Sequence, residues 1–226
     1  MLGPGSIDDQ TCLVITNTIY IDAVWADTFK HEDTYPGWFH RLGGDSAQVP
    51  FMKRTGACNY SEDGRFQALE MPYGGKQVSM VVLLPKDTSF LLSGSAINDT
   101  IVNDLLTSFT SKNVRIRMPK FSFTYGTASM NNPLQEMGMR LAFTGMADFS
   151  GICDFPLFIT DVLHKAFIAV DEKGTTAAAA TAVVIKIGAP EYDILLNLDR
   201  PFIFLIRDIP TNQTLFIGYL SDPASL

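Results

Sequence analysis

The chain has 226 residues, of which 46% are hydrophobic and 18% charged, and its formal net charge is −7. This length and apolar content exclude an intrinsically disordered chain and allow a sizeable core to be buried. The negative charge disfavours binding to nucleic acid or to an anionic membrane, because both depend on clustered Lys and Arg. The longest apolar runs, 78–84 and 202–206, are too short to span a bilayer.

The amino end and the cysteines give little sign of export or of cross-linking. The first six residues lack the basic head and apolar core of a signal peptide, and we expect them to form a loop. Cys12, Cys58 and Cys153 are odd in number and widely spaced, so they predict neither a disulfide framework nor a paired metal motif. We expect them to be buried thiols.

The first elements in the chain are predicted strands. Residues 12–21 alternate between two mostly apolar faces, which predicts a long strand inside a sheet, with Asn17 as a buried amide that needs hydrogen-bond partners. Three shorter strands are predicted over 49–53, 66–71 and 78–84. Glycine-containing turns separate them in the pattern of an antiparallel meander.

Helices are predicted in the middle of the chain. Apolar residues recur at helical spacing over 97–109, and Asn98 or Asp99 can cap the amino end of this helix. Arginines alternate with apolar residues over 114–118, which predicts a strand with one solvated face. A second short helix is predicted over 133–143.

The last third of the chain is again rich in strands. A long apolar strand is predicted over 157–171, and His164 interrupts its pattern. Further strands are predicted over 194–198, 202–206 and 215–220, with a turn at 209–212. The elements together predict a strand-rich α+β fold.

An uncharged run of small and β-branched residues follows Gly174. Four consecutive alanines at 177–180 favour helix, whereas the threonines, valines and isoleucine around them favour extended chain. With a period of two, one face of the run carries Thr175, Ala177, Ala179, Thr181, Val183 and Ile185. That face can be buried without burying a charge, so the run suits both an exposed loop and a central strand.

Several segments match motifs that occur together in one protein family. Residues 17–21 with Trp25 and Phe29 follow the pattern Asn-Ala-Ile-Tyr-Phe-x-Gly-x-Trp-x-x-x-Phe, with departures at Thr18 and Ala23 and with Ile21 at the position of the first Phe. The other matching segments are 137–143 with 147–152, 164–166 with 171–175, 200–204 and 215–218. Their order and spacing resemble the serpin family over essentially the whole chain.

The resemblance implies an α+β serpin fold of mixed, mostly antiparallel sheets, with a few helices and an exposed reactive-centre loop at about 172–192. The amino-terminal helices and first strands of the family have no counterpart in the sequence. We therefore expect residues 1–226 to be the carboxy-terminal portion of a single serpin domain. The missing amino-terminal part of the fold is expected as a further partner.

The resemblance also implies a function, the inhibition of a serine protease by a suicide-substrate mechanism. The protease cleaves the loop, is trapped as a covalent acyl-enzyme, and the loop inserts into the large β-sheet. No catalytic residue, metal or cofactor is implied, and an extracellular location is favoured. Counting from Glu172 predicts Gly188–Ala189 as the reactive bond, which suits elastase-like or subtilisin-like proteases, whereas Lys186 would suit a trypsin-like enzyme.

Two groups of residues receive roles from the resemblance. The loop hinge comprises Glu172, Gly174, Thr175, Thr176, Ala177, Ala178, Ala179, Ala180 and Thr181. Around the sheet opening, Asn17 and His164 are implied to share a hydrogen bond, Lys120 to pair with Glu172, and Trp25 to anchor the packing. Without the resemblance, two alternative interpretations stay open. His164 can be a core histidine bonded to a carbonyl, and Lys120 and Glu172 can be solvated charges.

Two other functions are kept as alternatives. A non-inhibitory serpin, acting as carrier or chaperone, is disfavoured because 175–182 contains no bulky, charged or proline residue. The other alternative is an inactive truncated fragment. No GxSxG, HExxH or glycine-rich phosphate loop is present, so an enzyme is not predicted. His31 and His40 lack ligands at metal spacing and are predicted to be solvated.

Overall fold

The structure is a computed structural model that describes residues 2–3, 7–8, 11–89, 97–175 and 191–224. The chain divides into two compact units, Met1–Ile21 with Phe123–Ile168 and Asp22–Ser122 with Ala169–Leu226. None of the helices in the described part of the chain is long and apolar enough to cross a bilayer.

The described residues form many strands and few helices. The strands are β1 Leu13–Tyr20, β2 Ala23–Val24, β3 Tyr35–His40, β4 Ser46–Glu62, β5 Phe66–Pro72, β6 Val78–Pro85, β7 Thr110–Pro119, β8 Phe121–Ser129, β9 Ile159–Val170, β10 Gly174–Thr175, β11 Ile194–Asn197, β12 Phe202–Asp208 and β13 Thr214–Leu220. The α-helices are α1 Asp99–Thr107 and α2 Asn131–Glu136, and single 3₁₀ turns cover His31–Asp33 and Leu141–Phe143.

The first unit contains a parallel pair of strands. β1 runs parallel to β9, with Asn17 opposite His164 in the ladder, and β8 also pairs with β9. Among the described strands β1 pairs with β9 alone, and most of its residues are exposed. The prediction of an interior strand with a buried Asn17 is therefore wrong for the described residues, because alternation reports side-chain type rather than the number of neighbouring strands.

The predicted second helix is also shorter than expected. α2 ends at Glu136, and Gly138 takes a positive φ of 107° before a separate 3₁₀ turn begins at Leu141. Glycine adopts this conformation readily, and it ends an α-helix. The helix predicted over 133–143 is therefore two short elements.

The second unit is built on one large sheet with the order β11-β7-β4-β5-β6-β12-β13. β4, β5 and β6 form the predicted antiparallel meander. β4 is much longer than predicted, because it pairs in succession with β3, β7 and β5 along its 17 residues. The predicted strands near the carboxyl end are confirmed as β11, β12 and β13.

Helix α1 packs on one part of this sheet. The Asn98 side chain accepts a hydrogen bond from the Ile101 amide at 3.0 Å, which confirms the predicted cap. Ile101 and Leu105 are buried in a cluster with Phe66, Ala68, Val81, Leu83, Ile203 and Leu205. Burying an aliphatic side chain of this size contributes about 2 kcal/mol, which holds the helix on the sheet.

The cysteines differ from the expectation of three buried thiols. Cys58 is buried, but Cys12 is exposed and Cys153 is half-buried. Cys12 lies just before the exposed strand β1, so the same lack of neighbouring described strands accounts for its exposure.

Candidate functional site

The candidate site begins at the turn that follows β9. The Asp171 carboxylate accepts hydrogen bonds from the amides of Lys173 at 2.8 Å and Gly174 at 3.2 Å. Trp25 Nε1 donates to the Asp171 carbonyl at 3.0 Å, and the Phe29 amide donates to the Glu172 carbonyl at 2.9 Å. The backbone of the turn is therefore held both by its own aspartate and by the segment after β2.

The Glu172 carboxylate is buried at the centre of a polar cluster. Its Oε2 lies 2.8 Å from Lys120 Nζ, and its Oε1 accepts from Thr34 Oγ1 at 2.8 Å and contacts His31 Nδ1 at 3.2 Å. The Glu172 side chain is only 8% exposed, so the alternative interpretation of Glu172 as a solvated charge is wrong. The ion pair implied with Lys120 is present.

The electrostatics of this cluster favour an ionised Glu172. Burial opposes ionisation and is the largest single influence, but hydrogen bonds from Lys120 and Thr34 and the positive charge of Lys120 outweigh it. The pKa of Glu172 is consequently lowered to about 2. His31 contributes little to the stability of the cluster, because its side chain is 88% exposed. This exposure agrees with the prediction that His31 is solvated.

Gly174 and Thr175 enter the core immediately after this cluster. A Cβ atom on Gly174 would lie 2.0 Å from the Ala23 carbonyl oxygen, so the backbone approach requires glycine. Thr175 is fully buried, and its hydroxyl is 2.7 Å from the Tyr73 hydroxyl. Burial raises the pKa of Tyr73, which keeps this phenol neutral.

Trp25 packs between two other aromatic rings beside the turn. It stacks on Tyr73 with ring centroids 4.6 Å apart and meets Phe29 edge-on at 6.4 Å. With only 3% of its surface exposed, it is a packing residue of the second unit. Its role as an anchor beneath a sheet opening stays a prediction.

The second polar contact lies in the first unit, between β1 and β9. Asn17 Nδ2 donates to His164 Nδ1 at 3.3 Å, so the hydrogen bond implied by the resemblance is present. Asn17 is exposed, His164 is half-buried, and the ring of Tyr125 lies 6.4 Å from the imidazole. The contact joins two exposed or half-buried groups and has a smaller energetic worth than a buried one.

The other predicted positions fall in parts of the chain that the structure does not describe. The hinge residues Thr176, Ala177, Ala178, Ala179, Ala180 and Thr181 and the reactive-bond residues Lys186, Gly188 and Ala189 lie outside the described residues. Within the described ranges, no three His, Cys, Asp or Glu residues gather as metal ligands.

Two members of the site were missed in the sequence. Thr34 and Tyr73 meet Glu172 and Thr175 across 138 and 102 residues of chain, so no local pattern links them. Tyr73 does follow a predicted strand at a glycine turn, but that position predicted only a turn.

Comparison with known proteins identifies the class of the fold. A family model described as "Serpin (serine protease inhibitor)" matches residues 1–223. The native structure of tengpin, a thermophilic serpin, superposes with a TM-score of 0.82 at 32% identity, covering 96% of this chain and 57% of that one. The chain therefore belongs to the serpin family, as the sequence motifs predicted.

Two relatives extend the comparison. An uncharacterized serpin-like protein of Thermococcus kodakarensis is 39% identical over 94% of this chain and 50% of its own length. Plasminogen activator inhibitor 1 of Sus scrofa is 32% identical over 99% of this chain and 57% of its own length. The chain thus spans between half and three-fifths of the length of these relatives.

Proposed function

We propose that the protein to which this chain belongs inhibits serine-type endopeptidases as a suicide substrate. The observation that carries the proposal is the position of Thr175, which is buried at the end of β10 and leads directly into the uncharged run of small residues. The name of plasminogen activator inhibitor 1, a relative at 32% identity, supports the same class of function.

The strand directions support insertion of the loop. Thr175 pairs antiparallel with Val170, so a strand continued from Thr175 in the same direction would run antiparallel to β9. β1 is parallel to β9, and a strand inserted between them would therefore form antiparallel ladders on both sides. At about 1 kcal/mol net for each hydrogen bond, with burial added, insertion would stabilise the molecule by on the order of 10 kcal/mol.

In the proposed reaction this chain is the substrate and not the enzyme. The protease serine attacks the carbonyl of the residue before the reactive bond, and an ester forms as the peptide nitrogen leaves with the new amino end. Loop insertion then displaces the protease before water cleaves the ester. We propose Gly188–Ala189 as this bond, for an elastase-like or subtilisin-like target outside the cell, with Lys186 and a trypsin-like target as the alternative.

The inhibitor also needs the rest of its fold. Met137, Met146, Ile152 and Phe155 of the first unit are 64–84% exposed, a large apolar content for a free surface. We infer that the amino-terminal part of the serpin fold, which the relatives have and this sequence does not include, covers these side chains as a partner.

The test is a gel assay for a covalent complex. The chain, assembled with the amino-terminal part of its fold, is incubated with elastase, subtilisin and trypsin, and the expected result is a 1:1 complex with one of them that survives SDS. Mass spectrometry of the released peptide then locates the reactive bond. Thr181→Arg should convert the inhibitor into a cleaved substrate, because the charge falls on the face to be buried. Thr175→Arg should have the same effect, but Thr175 is already buried against Tyr73, so this variant also disturbs the existing packing.

A matched control distinguishes insertion from a general effect of charge. Ala180→Arg places the same charge on the opposite face of the run and should leave the complex intact. Cleavage by all three enzymes without a covalent band would contradict inhibition and favour a carrier, a chaperone or an inactive fragment. Equal loss of the complex in Thr181→Arg and Ala180→Arg would contradict the assigned face.

A further inference from the structure

A second candidate site lies in the second unit, on the part of the large sheet formed by β3, β4 and β7. A cavity of about 250 Å³ opens there. Its lining includes Tyr35, Trp38, Phe51, Arg117, Asn197 and Asp199. None of these residues belongs to the loop hinge or to the Glu172 cluster, so the proposed inhibition leaves the cavity unexplained.

Arg117 is the residue that makes this cavity unusual. Its Nε is buried and has no hydrogen-bond partner among the described residues. The Nε atoms of Arg41 and Arg54 are buried as well, but Arg41 Nε lies 2.9 Å from the Asp222 carboxylate, and Arg54 donates to a cysteine sulfur and covers an aromatic ring. The described residues provide no comparable partner for Arg117.

An unpaired buried donor of this kind is costly. Leaving a buried polar group without a partner costs about 1–3 kcal/mol, and more when the group is charged. Arg117 also stands directly opposite Lys53 in the β4–β7 ladder, and like charges at opposed positions destabilise a sheet. The half-buried Arg117 guanidinium is therefore a positive group without a described partner, for which an anion in the cavity would supply a counter-charge.

The carboxylate in the cavity wall does not fill this role. Asp199 accepts from Asn197 Nδ2 at 2.6 Å through one oxygen and from Arg200 Nη1 at 3.0 Å through the other. The nearest carboxylate to Lys53 is Asp33, at 3.7 Å. The cavity thus keeps a positive guanidinium whose own charge is not compensated within the described residues.

The remaining walls suit a flat ring. Tyr35 packs beside Phe51 with ring centroids 6.2 Å apart, and Trp38 is 58% exposed at the cavity edge. Pockets for drug-sized ligands measure about 300–1,000 Å³, so this one suits a smaller molecule. We propose that the cavity binds a small ligand that carries an oxyanion, such as a phosphate or sulfate ester, on a single planar ring, with Arg117 holding the oxyanion.

Phenyl phosphate, with phenol as its neutral counterpart, is the probe for this proposal. Titration of the full 226-residue chain, followed by calorimetry and by saturation-transfer NMR, should give saturable binding of phenyl phosphate and at least tenfold weaker binding of phenol. Arg117→Gln should weaken phenyl phosphate at least tenfold, because a charged hydrogen bond is lost. Arg117→Lys should recover part of the affinity.

Arg115 offers a matched control on the same face of the same strand. Its guanidinium lies 4.1 Å from the centre of the Tyr192 ring, and its Nε donates to Thr55 Oγ1 at 3.2 Å, so it is already engaged. Arg115→Gln should change the affinity less than twofold. Trp38→Ala should weaken binding severalfold, and because this ring is largely exposed the variant is expected to fold.

Three results would overturn the proposal. They are the absence of saturable phenyl phosphate binding at millimolar concentration, equal binding of phenol, and equal losses in Arg115→Gln and Arg117→Gln, which would indicate unspecific attraction. Thermal unfolding of each variant shows that it is folded. If Arg117→Gln does not fold, unchanged affinity in both Arg117→Lys and Trp38→Ala counts against the site.

Discussion

The Glu172 carboxylate is buried and held by an ammonium group and a hydroxyl, whereas the Asn17–His164 hydrogen bond joins an exposed side chain to a half-buried one. The resemblance to serpins placed both contacts around the opening of one sheet, and both are present. Their surroundings differ, and so must their energies. Motifs show which side chains meet, but burial and charge decide how much each meeting stabilises the molecule.

The largest effect is expected next to the Glu172 cluster, in Gly174→Ala. The new Cβ would lie 2.0 Å from the Ala23 carbonyl oxygen, and the backbone must shift to admit it. We expect a loss of at least 3 kcal/mol in the free energy of unfolding, measured with urea. Gly64→Ala, where nothing lies within 4 Å, should change it by less than about 0.5 kcal/mol. A loss below about 1 kcal/mol at Gly174 would contradict this packing.

The next effect concerns the pH dependence of stability. The pKa of Glu172 is about 2 in the folded chain and 4.5 ordinarily, so its ionisation stabilises the fold above pH 4.5 and this contribution is lost as the pH falls through 2. The contribution is on the order of 3 kcal/mol. The free energy of unfolding, measured with urea at pH 5, 4, 3 and 2, should therefore fall less steeply with decreasing pH for Glu172→Gln than for the wild type.

The control for this titration is an exposed carboxylate on the neighbouring 3₁₀ turn. Glu32 is 76% exposed and 3.9 Å from Lys30, so Glu32→Gln should retain the wild-type slope. Parallel slopes for Glu172→Gln and the wild type would refute the buried ion pair. A double-mutant cycle with Lys120→Met would then report no coupling.

A smaller effect is expected from the hydroxyl pair behind the cluster. Tyr73→Phe removes the partner of the buried Thr175 hydroxyl and should destabilise the chain by about 1–2 kcal/mol. Thr175→Val removes the other hydroxyl and keeps the shape, so the double variant should lose less than the sum of the two single losses. Strict additivity in this cycle would show that the two hydroxyls do not interact.

The smallest change in stability is expected for the exposed pair. Asn17→Ala should lower the free energy of unfolding by about 0.5 kcal/mol, since water can replace the lost hydrogen bond. His164→Ala should nevertheless speed polymer formation on prolonged incubation, measured by native gels, because the pair lies in the β1–β9 ladder that the proposed insertion would open. Thr16→Ala, an exposed neighbour on β1, is the control. Equal rates of polymerisation for the wild type, His164→Ala and Thr16→Ala would contradict a role of the Asn17–His164 pair in holding the sheet closed.

The sequence predicted the elements whose signal is local. The apolar runs of β6 and β12 and the capped helix α1 were recognisable because side-chain pattern and backbone period coincide. β2 and β10 have two residues each, too few for any period, and Pro36 and Gly37 obscure β3. β1 was placed inside a sheet because its alternation carries no information about how many strands pair with it.

The candidate site was predictable only where the family motifs reach. Glu172, Asn17 and His164 lie in such segments, the resemblance paired Lys120 with Glu172, and the contacts of these residues are those that the resemblance implied. Thr34 lies next to Glu172 only because of how the intervening chain folds over a separation of 138 residues, and local sequence patterns do not predict such a contact. The Arg117 Nε, which has no partner among the described residues, likewise appears only when three strands are assembled.

The position of β6 in the large sheet has a consequence for synthesis of the chain. Seven of its eight residues are buried, and its second neighbour is β12, where Ile203 pairs with Leu83. At about 5–20 residues per second, a ribosome needs on the order of ten seconds to reach β12 after making β6. Throughout that interval an apolar strand edge is open to pairing with other nascent chains. We therefore expect chaperones to protect this strand edge until the last two strands emerge.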